Sequence, residues 1–471
     1  MFLFPLLSIL FTLTPLIHAQ NNTIPLHNNQ IGSYNLSLNL HQTFYFQSNQ
    51  AASLLAKRSS AVFLTITTCT QPQSSTKEPV PALQLFVSST NPLPSASNHD
   101  PISYVQQPGY LAWNTTDITR VWITVAAPAS GSLQGQWSYE LGFSTSALMH
   151  PLYPPNQLAT LDDTDTTHAL FLSTPYLTST NFSLTPLLTT SVPAELNASY
   201  CAAVLHNVAS TANVTLANRS SLQPSYAQQQ IMVGNLSLGQ SYAVYFAQSQ
   251  PNNVRALQLP FQIQTKSDPR CRLIYQLPFC NNVAYSVLAN ASLDIWNVTL
   301  SYDTNANTLY EPFASAISQF NCHSTQYSLV RNCSDCERDY KRWLCSVAIP
   351  RCTDPPADSS EVATYPYPAG TARSSWIQTT YAPNGYTEFL PCIDLCYQVV
   401  QSCPPFLQFN CPTDDLAALQ YGYWLPGHSP TCNRLDLDPS LLVISRASPR
   451  WIVSPLSYLA FVSAWLLCHF L

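Results

Sequence analysis

In "CSDCERDYKRWLCSVAIPRC", residues 333–352, four cysteines and seven charged side chains share twenty residues of a 471-residue chain that is only 9% charged. Thiols at this density support three chemistries: metal ligation, nucleophilic or redox catalysis, or disulfide bracing. Structural zinc needs a second ligand pair beside Cys333-x2-Cys336. None follows, and the nearest histidine, His323, is not at finger spacing. The chain has no H-E-x-x-H, no G-x-S-x-G and no phosphate loop. Two acidic segments, "DDTDTTHA" (162–169) and "DTNANTLYE" (303–311), alternate oxygen ligands as calcium loops do. Neither has Gly at the sixth position or Glu at the twelfth, so both are read as solvated acidic turns. No catalytic residue, metal or cofactor is expected, and the chain is not read as an enzyme.

Disulfides remain. Twelve of the fifteen cysteines lie in one region: Cys271, Cys280, Cys322, Cys333, Cys336, Cys345, Cys352, Cys392, Cys396, Cys403, Cys411 and Cys432. An even number in so short a span reads as an oxidised framework. Cys69 and Cys201 are left as a possible further pair, and Cys468 stands alone near the end. Export is supported by eleven Asn-x-Ser/Thr acceptors, at Asn21, Asn35, Asn114, Asn181, Asn197, Asn213, Asn218, Asn235, Asn290, Asn297 and Asn332. All lie at or before residue 332, whereas the cysteines crowd after 270. A glycan-coated front and a disulfide-braced rear are expected.

Both ends of the chain are apolar. "MFLFPLLSILFTLTPLIHAQ" closes on the small residue Ala19, the pattern of a signal peptide over 1–19, although the usual basic start is missing. An uncleaved anchor is the rival reading, but Pro5 and Pro15 interrupt a run already short for a spanning helix of about 20 residues. At the other end "WIVSPLSYLAFVSAWLLCHFL" (451–471) contains no Asp, Glu, Lys or Arg. It reads either as a spanning helix or as a signal exchanged for a glycolipid (GPI) near Ser440, Ser445, Ala447 or Ser448. Both readings attach the tail, 436–471, to a membrane. Both leave the folded part on the extracellular face, reached through the endoplasmic reticulum.

The elements that must position the cysteines follow from periodicity. "SYNLSLNL", "ALQLFV", "RVWITVAA" and "QWSYELGF" alternate apolar and polar residues, as half-buried strands do. Two antiparallel β-sandwich modules are expected, 20–155 and 156–268, joined by the linker "MHPLYPPNQ" (149–157). In the second, "SYCAAVL" and "NVTLANR" read as strands. Further on, Cys336, Tyr340, Trp343 and Val347 fall at i, i+4, i+7 and i+11, and Cys392, Cys396, Val399 and Cys403 repeat the pattern between Pro391 and Pro404. Two amphipathic helices with inward-pointing sulfurs are therefore predicted. Arg338, Lys341 and Arg342 would form the exposed basic face of the first, supported from beneath by Tyr340 and Trp343, and could dock an acidic partner. With a net charge of −6 the chain offers no basic patch for nucleic acid.

"CSDCERDYKRWLCSVAIPRC", a Pro/Ser/Tyr-rich insertion and "LPCIDLCYQVVQSCPPFLQFNCP" together resemble the cysteine-rich region of the fungal stretch-activated calcium channel component, the mating-pheromone-induced-death protein family. "CRLIYQLPFC" opens that region and "YGYW" stands near its end, in the same order. The region is also similar to frizzled-type domains and to the extracellular subunit of the animal sodium leak channel. The resemblance implies a mainly helical, disulfide-rich frizzled-like domain over 269–435. It further implies a glycosylated plasma-membrane subunit that regulates a pore-forming four-repeat calcium channel protein, serves stress- or stretch-activated calcium entry and is not itself the pore. The competing reading is a stand-alone surface binder of a lipid or cell-wall ligand.

Overall fold

The computed structural model describes residues 23–435 except 48–60, 77, 102, 117, 129–131, 181, 210, 220–224, 322–330, 356–361, 383 and 426–430. The expected leader, the apolar tail with Cys468, Cys322, Asn21 and Asn181 lie outside the described residues. Two compact units form. One comprises the chain up to 276 together with 284–295; the other comprises 277–283 and the chain from 296 onward.

In the first unit, strand alternation builds pairs of sheets around apolar cores. The leading strands are β1 (Gln30–Ser37), β2 (His41–Gln47), β3 (Val62–Thr70), β4 (Gln84–Ser88), β5 (Tyr110–Thr115), β6 (Arg120–Ala126) and β7 (Gln136–Ser144). One sheet runs Ile24–Pro25, β2, β6, β4; the other runs β1, β7, β3, β5, Val105–Gln107. Phe44, Val121 and Ile123 from the first sheet share a core with Ile66, Trp137, Leu141 and Phe143 from the second. Register is pinned because a one-residue slip would turn these side chains to solvent. The buried Tyr139 hydroxyl is satisfied by donating to Gln42 Oε1 at 2.6 Å.

A second pair of sheets follows, from β8 (Ala159–Thr164), β9 (Ala169–Ser173), β10 (Leu184–Thr189), β11 (Thr211–Leu216), β12 (Gln229–Gly234), β13 (Ser241–Ser249) and β14 (Arg255–Gln264). The orders are Leu152–Tyr153, β14, β13, β10 and β8, β9, β12, β11. Phe171, Ile231, Val233, Val244 and Phe246 meet between them. "SYCAAVL" departs from expectation. It forms a short helix, α1 (Tyr200–Leu205), whose cap is Ser199, with Oγ accepting from Ala202 N at 3.1 Å. Six residues carry too little period to choose between strand and helix, and the cap decides.

The segment expected as a linker is packed at its start, while 154–157 are exposed. Met149 and His150 are each 1% exposed. His150 Nδ1 lies 2.9 Å from Thr65 Oγ1, while its Nε2 faces Glu140, which Arg255 also holds at 2.9 Å. Burial pushes the His150 pKa down, against the pull of Glu140. Cys69 is bonded to Cys201, from β3 to α1, and Ser199 Oγ meets Thr67 Oγ1 at 2.8 Å. Gly109, at φ +76°, lies where the Leu196 backbone comes closest; a Cβ there would sit 2.9 Å from Leu196 Cα. The two β halves are thus one unit. A hairpin, β15 (Cys271–Ile274) with β16 (Tyr285–Leu288), also belongs to it, so the boundary expected at 269 falls inside this unit.

The second unit holds the helices α2 (Ile295–Ile317), α3 (Cys333–Ala348), α4 (Ser375–Thr380), α5 (Ile393–Ser402) and α6 (Asp414–Gln420). It also holds a three-strand ladder in which β19 (Tyr386–Phe389) pairs with both β17 (Arg351–Cys352) and β18 (Thr364–Tyr367). "DTNANTLYE" is not a turn but the middle of α2. Val298, Tyr302, Ala306, Phe313 and Ile317 form its buried stripe. The fold is therefore β-rich with several sheets, is braced by disulfides, and among the described residues its longer helices lie from residue 295 onward. Among the described residues no helix is long and apolar enough to cross a membrane.

Replacing Cys69 and Cys201 together by Ser is expected to lower the unfolding free energy by about 2–5 kcal/mol, the usual loss for a native bridge. Urea denaturation of the purified protein reads this directly. An unchanged midpoint would assign the joining of the β halves to side-chain packing alone.

Candidate functional site

The acidic segments were the first candidates for a bound cation, and each of their four aspartates proves to be engaged by the protein. Asp162 takes a forked contact from Arg219, at 3.1 and 2.5 Å. Asp163 Oδ1 accepts from Lys266 Nζ at 2.6 Å, and its Oδ2 from the Ser286 backbone N at 2.8 Å. Asp165 accepts from Thr167 N, His168 N and Leu273 N. Asp303 accepts from Phe279 N at 2.9 Å and Cys280 N at 2.7 Å. Neither segment is a solvated turn. Asp163, Asp165 and Asp303 are buried, and their oxygens hold backbone in place. Among the described residues no group of three or more His, Cys, Asp or Glu could hold a metal ion.

The cysteine-rich helices carry the other candidates. Asn332 opens α3 with a capping box: its side chain accepts from Asp335 N, and Asp335 answers the Asn332 N–H. Three neighbours then clamp the helix. Cys336 is bonded to Cys403 at the end of α5, and Cys345 to Cys280. Tyr340 stacks on Phe313 of α2, with ring centroids 3.6 Å apart. Trp343 Nε1 donates to Tyr421 Oη at 3.0 Å, and its ring meets Phe409 edge to face. Cys392–Cys432 and Cys396–Cys411 fasten α5 in turn. Cys271, Cys333 and Cys352 are also disulfide-bonded.

This clamping alters the expected basic face. Arg342 is buried, at 9% exposure, as is Asp339 at 3%. The correction has a plain cause: with α2, α5 and the 277–283 segment against it, α3 is covered on more than one stripe. Arg338 stays 42% exposed but is engaged by Asp335 at 2.8 Å and Asp339 at 2.9 Å. Lys341 lies over the Phe279 ring, 4.4 Å from its centroid. Burial lowers the Lys341 pKa, against the pull of Asp303. α3 contains three acids and three bases, so its face is mixed in sign rather than basic.

Sequence reasoning missed the core of the Pro/Ser/Tyr-rich insertion. Glu388 on β19 is fully buried and meets Arg373 Nε at 3.0 Å and the Tyr386 hydroxyl at 3.1 Å. Arg373 continues to the Gln420 carbonyl at the end of α6. A lone acid inside the apolar strand "YTEF" was the available signal, since a buried carboxylate requires a cation or donors. The sequons sort simply. All nine that are described, Asn35, Asn114, Asn197, Asn213, Asn218, Asn235, Asn290, Asn297 and Asn332, are exposed.

Two outcomes test the buried carboxylates. Lys266→Met removes the cation from the buried Asp163 and is expected to cost about 3–5 kcal/mol in urea denaturation; a loss within error would show that the backbone donors, Thr164 N and Ser286 N among them, suffice for the carboxylate. Hydrogen bonding to Asp165 raises the His168 pKa, outweighing burial. Burial raises Asp165, but His168 and backbone N–H groups hold it below its usual value. The His168 contribution is complete below its unfolded pKa of about 6.5 and is lost as pH rises through the raised folded value; that of Asp165 is present above about 3.9 and is lost as pH falls. The stability gap between wild type and His168→Gln is therefore expected to be widest below the unfolded histidine pKa, near pH 5–6, and to narrow as pH rises above it. A gap that does not vary with pH would remove the pair from the account.

Comparison with known proteins places this architecture. The family described as stretch-activated Ca2+-permeable channel component matches residues 61–436. The stretch-activated cation channel yam8 of Schizosaccharomyces pombe is 36% identical over 229 residues, 46% of this chain and 46% of its own length. The stretch-activated cation channel MID1 of Saccharomyces cerevisiae is 37% identical over 191 residues, 38% of this chain and 34% of its own. The protein of that name from Cryptococcus neoformans is 24% identical over 299 residues, 53% of this chain and 47% of its own. The chain thus spans about half or less of the length of these curated relatives. The family match takes in the β unit from β3 onward, the clamped helix α3 and the described bridges from Cys69–Cys201 to Cys392–Cys432, and on that extent the chain belongs to the family of stretch-activated Ca2+-permeable channel components.

Proposed function

We propose that this protein is an extracellular, glycosylated accessory subunit of a plasma-membrane calcium channel, needed for stress- or stretch-activated calcium influx and distinct from the pore. The observation that carries this reading is the family match over 61–436, whose description is that of a channel component. Export is supported by the disulfides and by the exposure of every described sequon asparagine. In this reading the two β halves are sandwich modules, the helical unit is a frizzled-like domain, and the uncharged tail after Arg450 holds the chain at the membrane. The partner is a pore-forming four-repeat channel protein. Arg338 and Lys341, the less buried cations of α3, would meet its acidic extracellular loops, while Arg342 serves the interior.

A second reading, a stand-alone surface binder of a lipid, is favoured by the exposed apolar side chains Tyr397, Val400, Leu416 and Leu419 on α5 and α6.

Purification of the tagged protein from native membranes in mild detergent separates the two readings. Near-equal recovery of a four-repeat cation channel is expected. Recovery of the chain alone, under conditions that keep other complexes intact, would favour the surface binder. Replacing Arg338 and Lys341 together by Ala is expected to reduce the co-purified channel without lowering secretion; undiminished recovery would remove α3 from the interface.

A further inference from the structure

The solvent face of α2 carries a stripe without charge. Asn297, Ser301, Thr304 and Thr308 fall at i, i+4, i+7 and i+11, and with Leu300 and Trp376 of α4 they border a shallow groove. An outward helix face is ordinarily charged, yet this one contains no Asp, Glu, Lys or Arg among its lining residues. Trp376 is half-buried and held in place by two edge-to-face contacts, with Tyr302 at 5.2 Å and Tyr381 at 5.6 Å. Thr308 donates its hydroxyl to the Thr304 carbonyl at 3.0 Å, which leaves the hydroxyl oxygen able to accept.

Hydroxyls, amides and a fixed indole without ionic groups suit one ligand class. A saccharide exchanges hydrogen bonds through its own hydroxyls and lays its C–H face on an aromatic ring. A phosphate or carboxylate would find no countercharge here. One end of the groove is Asn297 itself, the exposed acceptor of Asn297-Val298-Thr299.

We infer that this groove seats the N-glycan carried by Asn297, whose first sugars lie along α2 against Trp376 instead of standing out into solvent. The inference rests on the reading of the chain as an exported glycoprotein. From 297 to 308 the helix rises about 16 Å, room for several sugar rings in line. The attached glycan is favoured over a free polysaccharide because covalent linkage fixes a high local concentration at the groove.

The test treats the full-length purified protein, without denaturation, with an endoglycosidase that cuts between the two core N-acetylglucosamines, and follows each site by glycopeptide mass spectrometry. The Asn297 glycan is expected to be released about tenfold more slowly than those at Asn35 and Asn114, the protection given by about 1.4 kcal/mol of contact. Thr304→Arg, at an exposed position, fills the groove and is expected to bring the Asn297 rate to that of the other sites. Trp376→Ala is expected to do the same, and a Thr304→Arg protein with an unchanged melting midpoint shows that the effect is not unfolding. Equal rates at all sites in the wild type, or protection that survives both substitutions, overturns the inference. So does an unmodified Asn297. In that last case, occupancy at the other sequons leaves the exported-glycoprotein reading standing, whereas none at all removes that reading too. Binding of a soluble β-glucan or chitin oligosaccharide to Asn297→Gln protein, abolished by Thr304→Arg, would overturn the inference by assigning the groove to an external saccharide.

Discussion

Two sulfur–sulfur bonds set the geometry of the helical unit. Cys336 and Cys345 lie nine residues apart on α3, and their bridges to Cys403 and Cys280 leave the helix in opposite directions along the chain. A helix crossing its neighbours through apolar packing alone could slide or rotate by a residue at modest cost. A helix fixed by two covalent bonds cannot. Tyr340 is thereby held on Phe313, Trp343 within reach of Tyr421, and Arg342 inside. The aromatic cluster fills the space that the bridges define, and the combination lets the unit hold one arrangement.

In the β unit the same rigidity comes from buried ions. Asp163 and Lys266 are each 8% exposed, and Asp162 and Arg219 are nearly as enclosed. Such pairs are poor sources of net stability, since desolvation consumes much of the Coulomb gain, but they are exacting about geometry because a stranded charge is so costly. Here they also recruit backbone. Asp163 reaches Ser286 N and Asp165 reaches Leu273 N, so the carboxylates of one hairpin carry the strands of the next.

The sequence was legible where one short period decided the outcome. β6 and β7 alternate cleanly, and the helix carrying Cys336, Tyr340, Trp343 and Val347 follows from its 3.6-residue spacing. It was illegible where distant partners decided. Asp162 and Asp163 read as solvent-facing because the cations that neutralise them lie 57 and 103 residues away. α1 was misread because six residues fit either period, and Arg342 because a single helical wheel does not reveal how many neighbours surround it. Cysteine positions announced bridges without announcing pairs, since twelve sulfurs admit many connectivities. Of the candidate site, α3 and its sulfurs were visible in advance; the Arg373–Glu388 pair beneath the insertion left only a lone glutamate as its trace.

The bond between Cys69 and Cys201 also has a mechanical meaning. It shorts a loop of 132 residues, a contour length of roughly 450 Å when drawn out. A tensile load applied across the chain must bypass that loop entirely, since the backbone between the two sulfurs bears no tension until the bond is reduced. Further bridges downstream close 65, 67, 40 and 15 residues, and the backbone inside each is shielded from tension in the same way while its bond is intact.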